Sequence, residues 1–516
     1  MAHRLMSAPA GAVLSGVLLA LSFPRYGHPA VAFIALVPLI VALSGWTGRI
    51  NAIPGVSKRR GFMLGLTAGF LHYAGTVYWT GATVSQFGGL PPFVGVVVAG
   101  LLAFYMATYI AVFGAITAAL IRRFAFAGVW LAPAVWVTME ILRSYVVIGG
   151  FPWIPLGNTM VTLLPIAQLA SVVGVFGLSW LVATLNVGFA IAAMTSQRRR
   201  VTAVAVSMGL ITVVSVWGGM RLSSNELTSG SSVTVGLIQG NIAQNDKWNP
   251  ARAGMILDRY LQLSKQAVDK GARLLIWPES STPFLFEEDL SGGLVRGMVR
   301  DLGVPLLLGS DEIDPGPPER FYNSAFMLDT GGATAAVYRK IHLVPFGEYV
   351  PMQSLLFFVG PLVEAVSSFA AGDRVSMLPV EGHMISTAIC YEVTYPQLAR
   401  QAVREGSELL TTITNDAWYG ESSAPFQHWE LATMRAIEEG RYLVRSANTG
   451  ISGIVDPYGR VLARTNLFET AAVVGEARFV TGKTVYATIG DLAAYLCAAA
   501  TGIALALTLA PWSRRL

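Results

Sequence analysis

Three short stretches carry groups able to do acyl chemistry: Trp277-Pro278-Glu279-Ser280, Lys340 ahead of Pro345-Phe346-Gly347-Glu348, and Cys390-Tyr391-Glu392. They supply a carboxylate, an ammonium and a thiol. A base, a fixed cation and a soft nucleophile are what cutting an acyl bond through a thioester requires. A thiol with a pKa of about 8.5 is mostly protonated at neutral pH. Glu279 is therefore the expected proton acceptor for Cys390, and Lys340 the charge that steadies each oxyanion and favours the thiolate.

These groups need elements to hold them. Met384 to Ile389 is a short apolar run of the kind that forms a buried strand, with Cys390 directly after it and a helix expected from Pro396 to Glu405. Leu274 to Trp277 reads as a strand ending in Glu279, and Leu409 to Thr414 as one ending in Asn415-Asp416-Ala417-Trp418-Tyr419-Gly420. Strands that deliver polar residues at their carboxyl ends suggest one shared site in an α/β layered domain. Taken singly, each residue also has a plainer reading: a buried spacer cysteine, a turn carboxylate, a surface lysine. The other cysteine, Cys497, lies in an apolar segment and is a poor disulfide partner for Cys390, which leaves Cys390 a free thiol.

Composition sets the surroundings. Hydrophobic residues make up 53% of the 516, charged ones only 13%, and the mean hydropathy is +0.54, which excludes an ordinary soluble globular chain. The apolar character is uneven. It divides the chain into a membrane domain at 1–222, a domain of soluble character at 232–483, and a final transmembrane helix at 489–511. Segments of about 20 apolar residues centre near Gly16, Leu36, Ala68, Tyr105, Val135, Gly177, Ile211 and Thr501, giving about eight spans, seven of them before the soluble domain, with a tight hairpin broken at Pro24 as the alternative for the first two. The first also looks like a signal-peptide core, but no convincing cleavage site follows it, so an uncleaved anchor is expected.

Arg4, Arg49 with Lys58 to Arg60, Arg122 and Arg123, Arg198 to Arg200, and Arg514 and Arg515 fall in alternate connections. By the positive-inside rule both termini are cytoplasmic and the soluble domain lies on the outer face. The net charge of +5 then reports topology and calls for no nucleic acid.

Glu279, Lys340 and Cys390 in these motifs resemble the catalytic set of the nitrilase (carbon-nitrogen hydrolase) superfamily, which implies an α-β-β-α sandwich. Apolar helices on both sides of such a domain, with Gly150-Phe151-Pro152-Trp153, Ile238-Gln239-Gly240-Asn241 leading to Lys247-Trp248, and Leu343-Val344 before Pro345-Phe346-Gly347-Glu348, resemble the apolipoprotein N-acyltransferase family over nearly the whole chain. The resemblance implies a multi-pass protein of a bacterial inner membrane with a periplasmic catalytic domain. It implies that Cys390 takes an acyl chain from a phospholipid, phosphatidylethanolamine in the first instance. The chain then passes to the amino group of the diacylglyceryl-cysteine of an apolipoprotein.

By the same resemblance Glu348 orients Lys340 or Glu279, Glu392 braces the Cys390 turn, and Tyr391 supports it; buried salt-bridge roles for the two glutamates stay open. Trp153, Trp248, Trp418 and Tyr419 are candidates for lining the acyl or headgroup pocket, with Trp153 alternatively part of an aromatic belt. Asn323 is a further site candidate. Arg143 either pairs with Glu140 three residues before it or binds a lipid phosphate.

Pro351 to Ala371, with Phe357 and Phe358, is an apolar loop too short to span a bilayer, read as a membrane-dipping arm or as a loop packed on the helices. His428 reads as structural. No metal-ligand spacing, phosphate loop or repeat is evident, so no cofactor is expected, and a monomer is the simplest assembly. Two other classes remain: a membrane-anchored nitrilase or amidase acting on a small amide, and a receptor or transporter with an inactive domain.

Overall fold

The computed structural model of the chain describes residues 7–146, 150–345, 347–349 and 369–509. The apolar arm around Phe357 and Phe358, the terminal arginines Arg4, Arg514 and Arg515, and Phe346 lie outside the described residues. The chain divides into two compact units, Met1–Ser223 with Ile489–Leu516, and Ser224–Thr488.

The first unit is helical. Among the described residues, five helices are long and apolar enough to cross a membrane: Pro92–Phe124, Phe126–Tyr145, Ala170–Met194, Gln197–Thr228 and Leu492–Leu509. Two shorter apolar stretches, Ala8–Ala20 and Pro29–Leu43, and the helix Lys58–Thr76 accompany them. Small residues let these helices meet closely. A methyl group on Gly65 would lie 2.2 Å from the carbonyl oxygen of Ile110, so this crossing needs glycine.

The second unit holds twelve described strands. These are β1 (Ser232–Gln239), β2 (Leu274–Ile276), β3 (Leu306–Asp314), β4 (Arg320–Leu328), β5 (Thr334–Arg339), β6 (Leu378–Val380), β7 (His383–Ile389), β8 (Leu409–Thr414), β9 (Leu443–Ala447), β10 (Gly453–Val455), β11 (Val461–Arg464) and β12 (Ala471–Arg478). They form two six-stranded sheets, ordered β12-β1-β2-β3-β4-β5 and β11-β10-β9-β8-β7-β6.

Side-chain alternation builds the layers. Leu274 and Ile276 join Val235, Leu237 and Leu307 in a core shared with Ile385, Ile389, Leu409 and Ile413 of the other sheet. Leu275 and Trp277 point the other way, onto the helices Pro250–Asp269 and Gly292–Leu302 through Leu263 and Val295. On the far side Leu410 and Leu443 pack against Val403, Trp429 and Ala436 of the helices Pro396–Arg404 and Ala424–Glu439. The order helix, sheet, sheet, helix is an α-β-β-α sandwich with its main core between the sheets.

Candidate active site

Topology alone brings the chemical residues to one edge within each sheet. β1, β2 and β3 run parallel, β4 runs antiparallel to β3, and β5 antiparallel to β4. The carboxyl ends of β2 and β5 therefore fall on the same edge, which is where Glu279 and Lys340 emerge. Asn323 sits near the start of β4, on that edge too, opposite Asp311 of β3. In the other sheet β7, β8 and β9 are parallel, so Cys390, Asn415 and Asn448 leave from one edge. The main-chain N–H of Asn415 donates to Glu279 Oε2 at 2.8 Å, and so ties the two edges together.

Glu279 is nearly inaccessible and fully engaged. Its Oε1 accepts from Asn323 Nδ2 at 2.8 Å and from Lys340 Nζ at 3.3 Å. Burial opposes ionisation, but Lys340, Lys247 and the donors on both oxygens outweigh it, and the carboxyl is held below its usual range. Lys340, only 1% exposed, also donates to Glu348 Oε1 at 2.8 Å. Burial would strip its proton, yet Glu348 and Glu279 reverse the sign and keep it an ammonium. Glu348 Oε1 also accepts from Asn323 Nδ2 at 3.0 Å, and its Oε2 from the Val344 N–H at 2.8 Å. One oxygen of Glu348 thus meets both polar partners of Glu279 Oε1.

Cys390 follows β7 at φ +54°, a left-handed turn unusual for a residue with a side chain. Such a turn swings a side chain away from the strand's own alternation. The thiol is buried and hydrogen-bonded to the hydroxyls of Thr414 and Tyr419. Burial first, then the negative charge of Glu279, push its pKa up to about 12, although Lys340 pulls the other way. At neutral pH Cys390 is a neutral thiol beside an ionised carboxylate, and Lys340 does not by itself make it a thiolate.

The turn is fastened from both sides. Glu392, fully buried, accepts the Ile389 N–H at 2.7 Å on Oε2. Its Oε1 takes Tyr338 Oη at 2.8 Å and the N–H groups of Ile341 and His342 at 2.7 and 3.1 Å. One carboxylate therefore joins the backbone before Cys390 to the backbone after Lys340. Behind the turn, His428 Nε2 lies 3.0 Å from the Cys390 carbonyl. Burial and the nearby Arg445 lower the imidazole pKa. His428 Nδ1 lies 3.0 Å from both Asp416 Oδ1 and Arg445 Nη2, and Arg445 donates to Asp416 Oδ2 at 2.8 Å; because the Cys390 carbonyl can only accept, His428 donates to it from Nε2.

The remaining sequence candidates are placed differently. Tyr391 is buried, edge-on to Tyr395 at 5.4 Å. Trp248 and Trp418 are 47% and 39% exposed, and Tyr419 is half-buried. Trp153 and Arg143 belong to the helical unit. Trp153 is fully buried between Trp79 and Phe151, with ring centroids at 5.2 and 6.0 Å. Arg143, 1% exposed, donates from Nη1 to the carbonyls of Phe151 and Trp153 at 2.8 and 2.7 Å. Glu140 takes Trp136 Nε1 and the Leu156 N–H at 2.9 and 2.7 Å. The two make no ion pair among the described residues; each ties its helix to the Phe151–Leu156 stretch instead.

Sequence reading placed the strand end at Asn415 in the shared site without giving Asn415 a role, and missed Thr414 and Lys247 as parts of it. Only Lys247 stood in a recognised motif; Thr414 and Asn415 had no signal beyond their strand end. Among the described residues no group of three His, Cys, Asp or Glu side chains is arranged to hold a metal ion.

Residues 234–486 match the carbon-nitrogen hydrolase family model, and residues 15–188 match that of the apolipoprotein N-acyltransferase N-terminal domain. An apolipoprotein N-acyltransferase of Geobacter metallireducens is 40% identical across 96% of this chain and 94% of its own length. One from Shewanella oneidensis is 34% identical across 93% and 92%. A solved amidase from Nesterenkonia sp. aligns with 52% of this chain and 96% of its own, at 22% identity and a TM-score of 0.39. Both domain models and the near full-length identity agree, and the chain belongs to the apolipoprotein N-acyltransferase family.

Proposed function

We propose that Cys390, Glu279 and Lys340 carry out a two-step acyl transfer from phospholipid to apolipoprotein. In the first step Glu279 takes the proton of the Cys390 thiol as sulfur attacks the ester carbonyl of a phospholipid, phosphatidylethanolamine in the first instance. Lys340 stabilises the tetrahedral oxyanion. The oxyanion collapses, the ester C–O bond breaks, and the Glu279 proton goes to the departing lysophospholipid oxygen. In the second step the free amine of diacylglyceryl-cysteine attacks the thioester. Glu279 accepts its proton, and Cys390 leaves and is reprotonated as the amide forms.

The observation that carries this reading is the pairing of an ionised carboxylate, fixed by Lys340, Asn323 and the Asn415 N–H, with a buried neutral thiol at a left-handed turn. Glu348 and Glu392 act as positioning residues for Lys340 and for the Cys390 turn. Trp248, Trp418 and Tyr419 contact substrate, as their partial exposure near these motifs allows. Trp153 and Arg143 act through the Phe151–Leu156 stretch.

The five long apolar helices with Ala8–Ala20, Pro29–Leu43 and Lys58–Thr76 make about eight spans. We place both termini in the cytoplasm and the sandwich on the outer face of the bacterial inner membrane, with a monomer as the working unit.

The test is transfer itself. Purified protein given phosphatidylethanolamine and a synthetic diacylglyceryl-cysteine peptide is expected to yield amide-linked triacyl peptide and lysophospholipid in equal amounts. Lysophospholipid with free fatty acid and no peptide acylation would point to a hydrolase.

A further inference from the structure

Lys247 stands in the connection after β1, with only 5% of its surface accessible. Its ammonium donates to the main-chain carbonyl of Glu279 at 3.1 Å and has no carboxylate within 4 Å among the described residues. A lysine buried without a direct counter-ion is costly, and such groups persist where surrounding charge makes them useful.

The connection that carries it is anchored. Ile242 exchanges two hydrogen bonds with the Asn448 side chain, at 2.8 and 2.7 Å, and Gln244 Oε1 accepts from Asn415 Nδ2 at 2.7 Å. Lys247 is thus delivered by the same strand ends that support the base. The turn it grips is a tight one. Ser280 lies at φ +41° and bonds Asp311 Oδ1 at 3.1 Å, and Gly309 packs beneath.

Charge explains why a cation belongs there. Glu279 and Glu348 share one ammonium, Lys340, and the half-buried Asp311 adds a third carboxyl. Resting on the acyl-transfer reading above, we propose that Lys247 is a positioning residue for the base: it pins the Glu279 main chain and supplies the second positive charge that keeps the carboxylate an anion able to accept the Cys390 proton. Burial brings Lys247 down to about 8, with the Glu279 and Asp311 carboxylates holding its proton on, so it is charged at neutral pH. The other groups facing Glu279 are Lys340 at the end of β5, Asn323 of β4, the Asn415 N–H after β8, Glu348, Asp311 of β3 and Cys390 after β7.

The experiment follows thioester formation on the full-length protein with phosphatidylethanolamine as a function of pH, by intact mass at short times. The rate falls on the acid side as Glu279 protonates. In Lys247→Met the carboxylate loses one cation, and the acid limb is expected to move up by about one unit or more. Lys247→Gln keeps a donor for the Glu279 carbonyl without the charge and is expected to shift likewise, whereas Lys247→Arg restores the wild-type limb. Folded Met and Gln variants with the wild-type limb would overturn the proposal; should the Met variant not fold, Gln alone decides. Absence of any adduct on wild type would instead sink the acyl-transfer reading beneath it.

Discussion

At the scale of the residue, the site separates two proton affinities. Glu279 is held below the usual carboxylate range and Cys390 is pushed up to about 12, so at neutral pH the proton sits on sulfur and the charge on carbon-bound oxygen. On the proposed acyl transfer, thiolate would form in the encounter with substrate rather than beforehand. The sign of the pH dependence follows. Because the folded pKa of Glu279 is depressed, both its contribution to stability and its capacity as a base are present above the ordinary carboxylate pKa. Both are lost as pH falls through the folded value. Glu279→Gln should keep the fold and slow thioester formation by about 10²- to 10⁴-fold, the usual worth of a positioned base. Alkylation of Cys390 at neutral pH should slow in parallel. Equal alkylation rates in the two proteins would show that sulfur is activated by something else.

At the scale of the element, parallel strands place the groups and close backbone packing fixes them. Gly309 of β3 lies directly under the Glu279 turn, where an added methyl group would come within 2.7 Å of the Glu279 Cα and the Pro278 carbonyl. Gly309→Ala should therefore lower acyl-enzyme formation at least tenfold, about 1.4 kcal/mol of barrier, while leaving circular dichroism unchanged. Wild-type rates would mean the turn tolerates displacement. The strand-end syntax of Glu279 and Cys390 was readable because runs such as Met384–Ile389 send side chains into the core between the sheets, here Ile385 and Ile389, and the polar residue that follows leaves it, although Met384 itself is exposed. Leu409–Thr414 was readable for the same reason. What escaped reading has no side-chain signature. The Asn415 contact is a main-chain N–H, the Thr414 hydroxyl reaches Cys390 from the neighbouring strand, and the Tyr338 hydroxyl acts across sheets, each from a position that looks like an ordinary strand residue. Glu140 and Arg143 misled differently. Three-residue spacing suggests a pair, yet both side chains turn to loop backbone, whose buried carbonyls and N–H groups need partners more than the charges need each other.

At the scale of the whole molecule, composition separates an apolar part of the chain from one of soluble character, and the two compact units are Met1–Ser223 with Ile489–Leu516, and Ser224–Thr488. Which side of the membrane the sandwich occupies rests on the basic connections alone. Glu381, exposed at the turn between β6 and β7, offers a probe: in a Cys390→Ala, Cys497→Ser background, Glu381→Cys should react with a membrane-impermeant maleimide in intact spheroplasts. Labelling only after permeabilisation would reverse the topology. The central claim, that Cys390 becomes a thioester with a phospholipid acyl chain, is tested most directly by intact mass. Detergent-solubilised protein is incubated with phosphatidylethanolamine alone, wild type beside Cys390→Ala. The account predicts one hydroxylamine-labile acyl adduct on wild type and none on the variant; an adduct on both proteins, or on neither while both are folded, would contradict it.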